Sequence, residues 1–82
     1  MISEYIEKAM LRAVYEKLED GSYCGEIHNC PGTIAFASTL ADCKKELRSV
    51  LEDWLLIGIR HSHEIPVIDG IDLNLRKVAA HE

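Results

Sequence analysis

The sequence lacks the features of a secreted, membrane-spanning or nucleic-acid-coating protein. It has only three cysteines, too few for a disulfide framework and odd in number. It has no run of 18 apolar residues, and Glu4 and Glu7 stand where a signal peptide would be apolar. The 14 acidic residues outnumber the 9 basic ones, and the net charge of −5 disfavours binding to phosphate backbones. We therefore expect a cytoplasmic protein with no membrane partner, and a basic protein suits it as a partner.

Length and composition predict one globular domain over residues 1–82. The chain has 48% apolar and 28% charged residues, which is outside the range of disordered sequences. A domain of this size buries only roughly 60–65% of the surface that its unfolded chain exposes. Because such a domain is marginally stable alone, we expect it to form a homodimer or a higher homo-oligomer.

The first half of the chain predicts a short helix followed by an antiparallel meander. Apolar residues at helical spacing predict a helix over residues 3–11. Alternating patterns then predict three strands, over residues 13–18, 23–27 and 33–37. The dipeptides Asp20-Gly21 and Pro31-Gly32 separate these strands, and Asp-Gly is typical of a two-residue type I′ turn. Two tight turns between three strands indicate a meander.

The clearest predicted element is a long helix over residues 40–60. Thr39 is a suitable N-cap, with Asp42 three residues later in the position of a capping-box acid. One apolar stripe runs along the helix: Leu40, Cys43, Leu47, Val50, Leu51, Trp54 and Leu55. We expect Trp54 to pack in the core, as we do for Tyr5 near the start of the chain.

The last quarter of the chain predicts a polar connection, a turn and a final strand. Residues 61–64 are polar, and Pro66 favours an extended backbone before it. Asp69-Gly70 indicates a turn, and residues 71–75 alternate in the manner of a half-buried strand. We expect a frayed tail over residues 76–82. The predicted class is α+β, with the meander and the short C-terminal strand packed on the long helix.

Reactive side chains offer a weak case for catalysis. Cys24 or Cys30 could act as a nucleophile with His28 as its base, since these residues lie in or beside one predicted strand. The alternative is that Cys24 and Cys43 are small apolar core residues, because free cysteine is one of the most buried residue types. We favour this alternative and predict no catalytic residue.

The case for a metal or a cofactor is equally weak. His61, His63, Glu64 and Cys30 are potential zinc ligands, but the sequence has no C-x-x-C pair, and His-x-His alone is a poor match to a zinc site. The five glycines are scattered and form no phosphate-binding loop. We therefore predict neither a metal nor an organic cofactor.

Acidic residues gather in the predicted hairpin and admit three interpretations. Glu16, Glu19, Asp20 and Glu26 could be an ordinary solvated hairpin end, an acidic face for a basic protein, or the metal-binding acids of a nuclease. The first is the most common situation, and like charges facing each other would destabilise a sheet. Two tyrosines, Tyr15 and Tyr23, belong to a residue type that is frequent in binding hot spots.

The order of these elements resembles the HicB family of antitoxins. The resemblance covers about residues 13–74, which is most of the chain, and it includes the Ile65-Pro66 element after the helix. The matching segments are Tyr15, Glu19-Asp20-Gly21-Ser22-Tyr23, Glu26-Ile27, Pro31-Gly32, Thr39-Leu40 and Leu51-Glu52-Asp53-Trp54. Each motif is common, and it is their order and spacing that resemble the family.

The resemblance implies a partial RNase H-like fold without nuclease activity. It also implies a partner, a small basic RNase of the HicA type, which such a domain binds and neutralises. We expect the toxin-facing surface at Glu16, Glu19, Asp20, Tyr23, Glu26 and His28. Many family members continue into a DNA-binding module, but only eight residues follow Asn74 here. We therefore expect no direct DNA binding by this chain, and an orphan regulator or scaffold without a toxin is the alternative.

Overall fold

A computed structural model describes residues 2–74 of the chain. The elements are helix α1 (Ile2–Leu11), strands β1 (Val14–Lys17), β2 (Tyr23–Glu26) and β3 (Ile34–Ala37), and helix α2 (Leu40–Arg60). The strands form one antiparallel sheet in the order β1-β2-β3. The predicted α+β class, the meander and both helices are confirmed.

Helix α2 forms the second layer by packing against β3 and β2, while α1 lies against α2. Thr39 caps α2 as predicted, since its Oγ1 accepts a hydrogen bond from the Asp42 backbone N–H at 3.1 Å. The buried residues of α2 recur every three or four positions, which places them on one face of the helix. These residues are Cys43, Leu47, Leu51, Leu55 and Gly58. The three leucines of this face meet Tyr5, Ile6 and Ala9 of α1, Ile27 just after β2 and Ala35 of β3 in one core.

Gly25 in β2 permits the close approach of the helix to the sheet. A Cβ atom built at this position would lie 2.8 Å from ring carbons of Tyr15 and 3.1 Å from the Cys43 Sγ. Both distances are shorter than ordinary van der Waals contact. The middle of the sheet can therefore carry only a glycine on its helix side.

The first hairpin differs in detail from the predicted turn. A type I′ turn needs positive φ at both central residues, but Gly21 has φ 88° and Asp20 does not have a positive φ. Instead, the Gly21 N–H donates to the Leu18 carbonyl at 2.9 Å, and the Leu18 N–H donates to the Ser22 carbonyl at 2.7 Å. The result is a three-residue connection that ends at a left-handed glycine, a common hairpin alternative.

The predicted C-terminal strand is not formed over residues 71–74. Ile68 and Ile71 make an isolated antiparallel bridge across a turn in which Asp69 and Gly70 both have positive φ. The Asn74 side chain then binds the backbone of Ile65. These local bonds take the place of pairing with the sheet. Leu75 and the predicted frayed tail, residues 76–82, lie outside the described residues.

Candidate functional site

The sheet has one face covered by α2 and one face that the described part of the chain leaves open. Side chains alternate between faces along each strand, and Gly25 and Ala35 mark the helix side because they meet α2 residues or lie in the core. The register pairs Val14 with Glu26, Glu16 with Cys24, Cys24 with Phe36 and Glu26 with Ile34. We call the other side of the sheet the open sheet face; it is formed by Val14, Glu16, Cys24, Glu26, Ile34 and Phe36.

Three large apolar side chains are exposed on the open sheet face. Phe36 is 59% exposed, Val14 54% and Ile34 42%. The inward positions between them on β3 are the small residues Ala35 and Ala37. Strand β3 thus reverses the usual pattern, because its small residues face the helix and its large ones face solvent.

Two of the predicted carboxylates lie on the same open sheet face. Glu16 is opposite Cys24, and Glu26 is two residues further along β2, so the two carboxylates are diagonal neighbours across β1 and β2. Burial, and then the negative charges of Glu26 and Glu16, raise the pKa of the Cys24 thiol between them. The His28 Nε2 lies 3.2 Å from the Glu26 Oε1, with both side chains largely exposed. Glu26 and His28 therefore form a pair, and Glu16 lies diagonally across from Glu26 on β1.

The hairpin tip carries the other two predicted carboxylates, Glu19 and Asp20, both exposed. The Asp20 Oδ1 accepts hydrogen bonds from the Ser22 Oγ at 2.6 Å and from the Ser22 backbone N–H at 2.9 Å. These two bonds lower the pKa of Asp20. The tip therefore presents a fixed negative charge beside the open sheet face.

Tyr23, which was predicted with these residues, lies on the other side of the sheet. It alternates with Cys24 and shares the helix side with Gly25. The Lys17 Nζ lies 6.0 Å from the centre of its ring, and the Lys44 Nζ lies 5.8 Å from that of Tyr15. The six predicted residues therefore do not share one surface. A lysine lies near each of these two tyrosine rings on the helix side, and both charged residues of the open sheet face are carboxylates.

The matches to known proteins agree with this arrangement of sheet and helix. A model of the UPF0150-like family matches residues 4–66, which include most of α1, all three strands and α2. The chain belongs to the UPF0150-like family. The crystal structure of TTHA0281 from Thermus thermophilus is similar, with a TM-score of 0.84 and 35% sequence identity. The match covers 93% of this chain and 95% of that one. No curated protein matches the sequence.

In this UPF0150-like domain the candidate base His28 contacts a carboxylate and not a thiol. It lies in the turn after β2, where its Nε2 is next to the Glu26 Oε1. Burial raises the pKa of Cys30, whose Sγ lies 3.7 Å from the Tyr5 hydroxyl in the core. Cys43 is fully buried, as expected of a small core residue, whereas Cys24 is only partly buried.

Two histidines, His61 and His63, lie close to each other after α2. The rings of His61 and His63 stack with their centres 5.7 Å apart. Among residues 2–74, no group of three His, Cys, Asp or Glu side chains is arranged to hold a metal ion. Within the same residues, no helix is long and apolar enough to cross a membrane.

The UPF0150-like domain has a second apolar surface at the junction of its two helices. A shallow groove of about 360 Å³ lies between α1 and the end of α2. Its apolar lining is Ile2, Ile6, Leu55, Leu56 and Ile59, and Glu52 and Asp53 lie at its border. This groove is separate in sequence from the residues of the open sheet face.

Sequence reasoning found the carboxylates but missed the apolar half of the open sheet face. The missed residues are Val14, Ile34 and Phe36. The signal was present in the sequence Ile34-Ala35-Phe36-Ala37, where large residues alternate with alanine. Recognising it required knowing that Gly25 pairs with Ala35, because that pair shows which side of the sheet the helix covers.

Proposed function

We propose that this chain is a non-catalytic HicB-like antitoxin domain that binds and neutralises a small basic RNase of the HicA type in the cytoplasm. Membership of the UPF0150-like family and the order of elements that resembles HicB support the family part of this proposal. The proposal gives no residue of this chain a chemical step, and the domain acts by protein–protein contact.

The negative charge of the open sheet face and its hairpin end is the observation that carries the proposal. Glu16 and Glu26 lie on the open sheet face and Glu19 and Asp20 at its hairpin end, while Lys17 and Lys44 lie on the helix side. A surface of one sign attracts a partner of the opposite sign and raises the rate of encounter. An RNase has to present positive charge to its substrate, so an acidic surface competes for the same residues.

To neutralise the toxin, the domain needs only to block its RNA-binding surface and to occupy its basic side chains. A domain seated on the basic surface of the toxin blocks RNA from reaching the catalytic histidine that HicA-type toxins use. The carboxylates replace the phosphates of RNA as partners of the toxin's basic side chains. This mechanism requires the acidic surface to be accessible, as Glu16, Glu19 and Asp20 are.

The groove between the two helices favours self-association as an accompanying property. Ile2 is 51% exposed and Leu56 58% exposed at this groove. A small domain gains stability when such residues are buried between copies. We propose that the domain is a homodimer or a higher homo-oligomer, and that without a toxin it would remain an oligomeric scaffold.

Co-expression tests the antitoxin proposal. Cells that express a HicA-type toxin from the same genome should be rescued by this chain, and the purified chain should inhibit the toxin's RNase activity. The double variant Glu16→Lys/Glu26→Lys should lose both effects while it stays folded. A matched variant on α2, Glu46→Lys, should keep them.

Three results would contradict the proposal. These are a genome with no HicA-type toxin, a toxin that the wild-type chain does not inhibit, and full inhibition by the charge-reversed double variant. RNA cleavage by the purified chain alone would contradict the non-catalytic part.

A further inference from the structure

The open sheet face combines exposed apolar residues with carboxylates in a fixed pattern. Phe36, Ile34 and Val14 expose 59, 42 and 54% of their surface. In the register, Phe36 lies beside Cys24, and Ile34 and Val14 flank Glu26 on its two sides. None of the six residues of this face is cationic. Phe36 and Ile34 are neighbours on β3, and exposed apolar side chains beside polar ones are typical of a protein-binding surface.

We infer that the open sheet face binds a basic protein surface that has an apolar centre, with Phe36 as the anchor. This inference rests on the proposed function and identifies the surface through which it acts. Phe36 enters an apolar depression of the partner, while Glu16 and Glu26 pair with Lys or Arg beside that depression. Aromatic side chains that fill a pocket of the partner are among the residues that contribute most to the affinity of an interface.

The charge pattern disfavours a second copy of this chain as the occupant. Glu26 lies on the central strand between Val14 and Ile34. Face-to-face packing of two copies would bury this carboxylate and Glu16 together with their equivalents in the partner. Burial of like charges without a cation is strongly unfavourable. A basic partner supplies the missing cations.

The size of the face indicates how far the contact must extend. Three strands of four residues make a face of roughly 14 by 13 Å, or about 200 Å². A stable interface buries about 800 Å² on each partner. The contact therefore continues past the strands, and the acidic hairpin tip with Glu19 and Asp20 lies directly at the end of β1 and β2.

The rate at which the Cys24 thiol is chemically modified shows whether a partner occupies this face. Cys24 lies on the face and is partly exposed, whereas Cys30 and Cys43 have no exposed surface. N-ethylmaleimide should therefore modify Cys24 first in the native protein, and the modified residue is identified by mass spectrometry. We expect an excess of purified HicA-type toxin to slow the modification of Cys24 at least tenfold.

Two matched variants test the role of the anchor. Phe36→Ala should weaken toxin binding at least about thirtyfold, the loss that defines a hot spot. Ile57→Ala removes a similarly exposed apolar side chain, 54% against 59%, from α2, away from both the open sheet face and the groove between the helices. It should change the affinity by less than about twofold. Circular dichroism checks that both variants fold.

The outcomes separate this inference from the proposed function. Rescue by the chain with no protection of Cys24 by toxin, or with full affinity in Phe36→Ala, overturns the inference and leaves the antitoxin function standing. Modification of Cys24 that slows as the concentration of the chain alone rises identifies a second copy as the occupant and also overturns the inference. Protection of Cys24 by the toxin without inhibition of its RNase activity supports the inference and contradicts the function.

Discussion

The Asn74 side chain binds both backbone groups of Ile65. Its Nδ2 donates to the Ile65 carbonyl at 2.7 Å, and its Oδ1 accepts from the Ile65 N–H at 2.5 Å. A side-chain amide thus makes the pair of bonds that a neighbouring strand would make. Ile65 is fully buried next to Gly58 of α2, so this amide fixes the connection after α2 to the core.

Replacement of Asn74 by alanine should destabilise the domain by about 1–3 kcal/mol, because two backbone groups of Ile65 lose their partners. Urea unfolding followed by circular dichroism measures this change. Asn29→Ala, in the exposed turn after β2, is the control and should cost less than about 0.5 kcal/mol. Equal stabilities of the two variants would show that water replaces the amide without loss.

Alkaline pH should destabilise the domain through Tyr5. Burial, and then the neighbouring Cys30 thiol, raise the pKa of Tyr5 above its ordinary value. The folded state therefore holds the phenolic proton more tightly than the unfolded state, so this contribution is complete below about pH 10 and falls at higher pH. Burial also raises the pKa of Tyr15 and of all three cysteines, which acts in the same direction.

The variant Tyr5→Phe shows how much of the loss of stability at alkaline pH comes from Tyr5 and how much from the other groups. At pH 7 the variant should lose about 1 kcal/mol, because the Tyr5 hydroxyl donates to the Pro66 carbonyl at 2.6 Å. Above pH 10, its free energy of unfolding should fall less steeply than that of the wild type. If the free energy of unfolding has the same pH dependence in the variant and the wild type from pH 7 to pH 11, the loss of stability at alkaline pH comes from the other groups.

Trp54 is half-buried, and its contribution should be smaller than that of a core tryptophan. Its Nε1 donates to the Pro31 carbonyl at 3.0 Å, which ties α2 to the turn before β3. We expect Trp54→Ala to cost about 2–3 kcal/mol and Trp54→Phe about 1 kcal/mol. Trp54 is the single tryptophan, so its replacement removes the tryptophan fluorescence signal. Unfolding is therefore followed by circular dichroism. A Trp54→Phe variant as stable as the wild type would show that the indole N–H bond contributes nothing.

Local signals in the sequence were sufficient to predict the helices and the three strands of the sheet. They were not sufficient to predict which side of the sheet the helix covers. Thr39 and the four-residue spacing of the buried side chains predicted α2 to its observed bounds, because capping and amphipathicity are local properties. The C-terminal strand was predicted wrongly over residues 71–74, since alternation alone does not reveal that Asn74 turns back to Ile65. The sequence alone does not show which side of the sheet α2 covers, and Tyr23 was therefore grouped with Glu16 and Glu26. The close approach of Gly25 to Cys43 of α2 identifies the covered side, and Tyr23 lies on it.

The reactivity of Cys24 should report the negative charge of the open sheet face. Glu26 and Glu16 both raise the pKa of this thiol, after the larger effect of burial. Glu26→Gln should therefore lower the pKa, increase the thiolate fraction and speed the reaction with N-ethylmaleimide at pH 7. High salt should have the same effect on the wild type, because it screens exposed charges. Glu46→Gln on α2 is the control, and an equal rate in both variants would place the charges too far from the thiol.

Glu16 should oppose stability and favour binding at the same time. Because Glu16 and Glu26 are diagonal neighbours of like charge, Glu16→Gln should leave the free energy of unfolding unchanged or raise it by up to about 0.5 kcal/mol. The same change should slow association with a HicA-type toxin and reduce its dependence on salt, since the carboxylate steers the encounter. Thermal melts and stopped-flow association at two salt concentrations measure the two effects. A Glu16→Gln variant that loses stability and keeps the association rate would make Glu16 a structural residue and remove it from the binding surface.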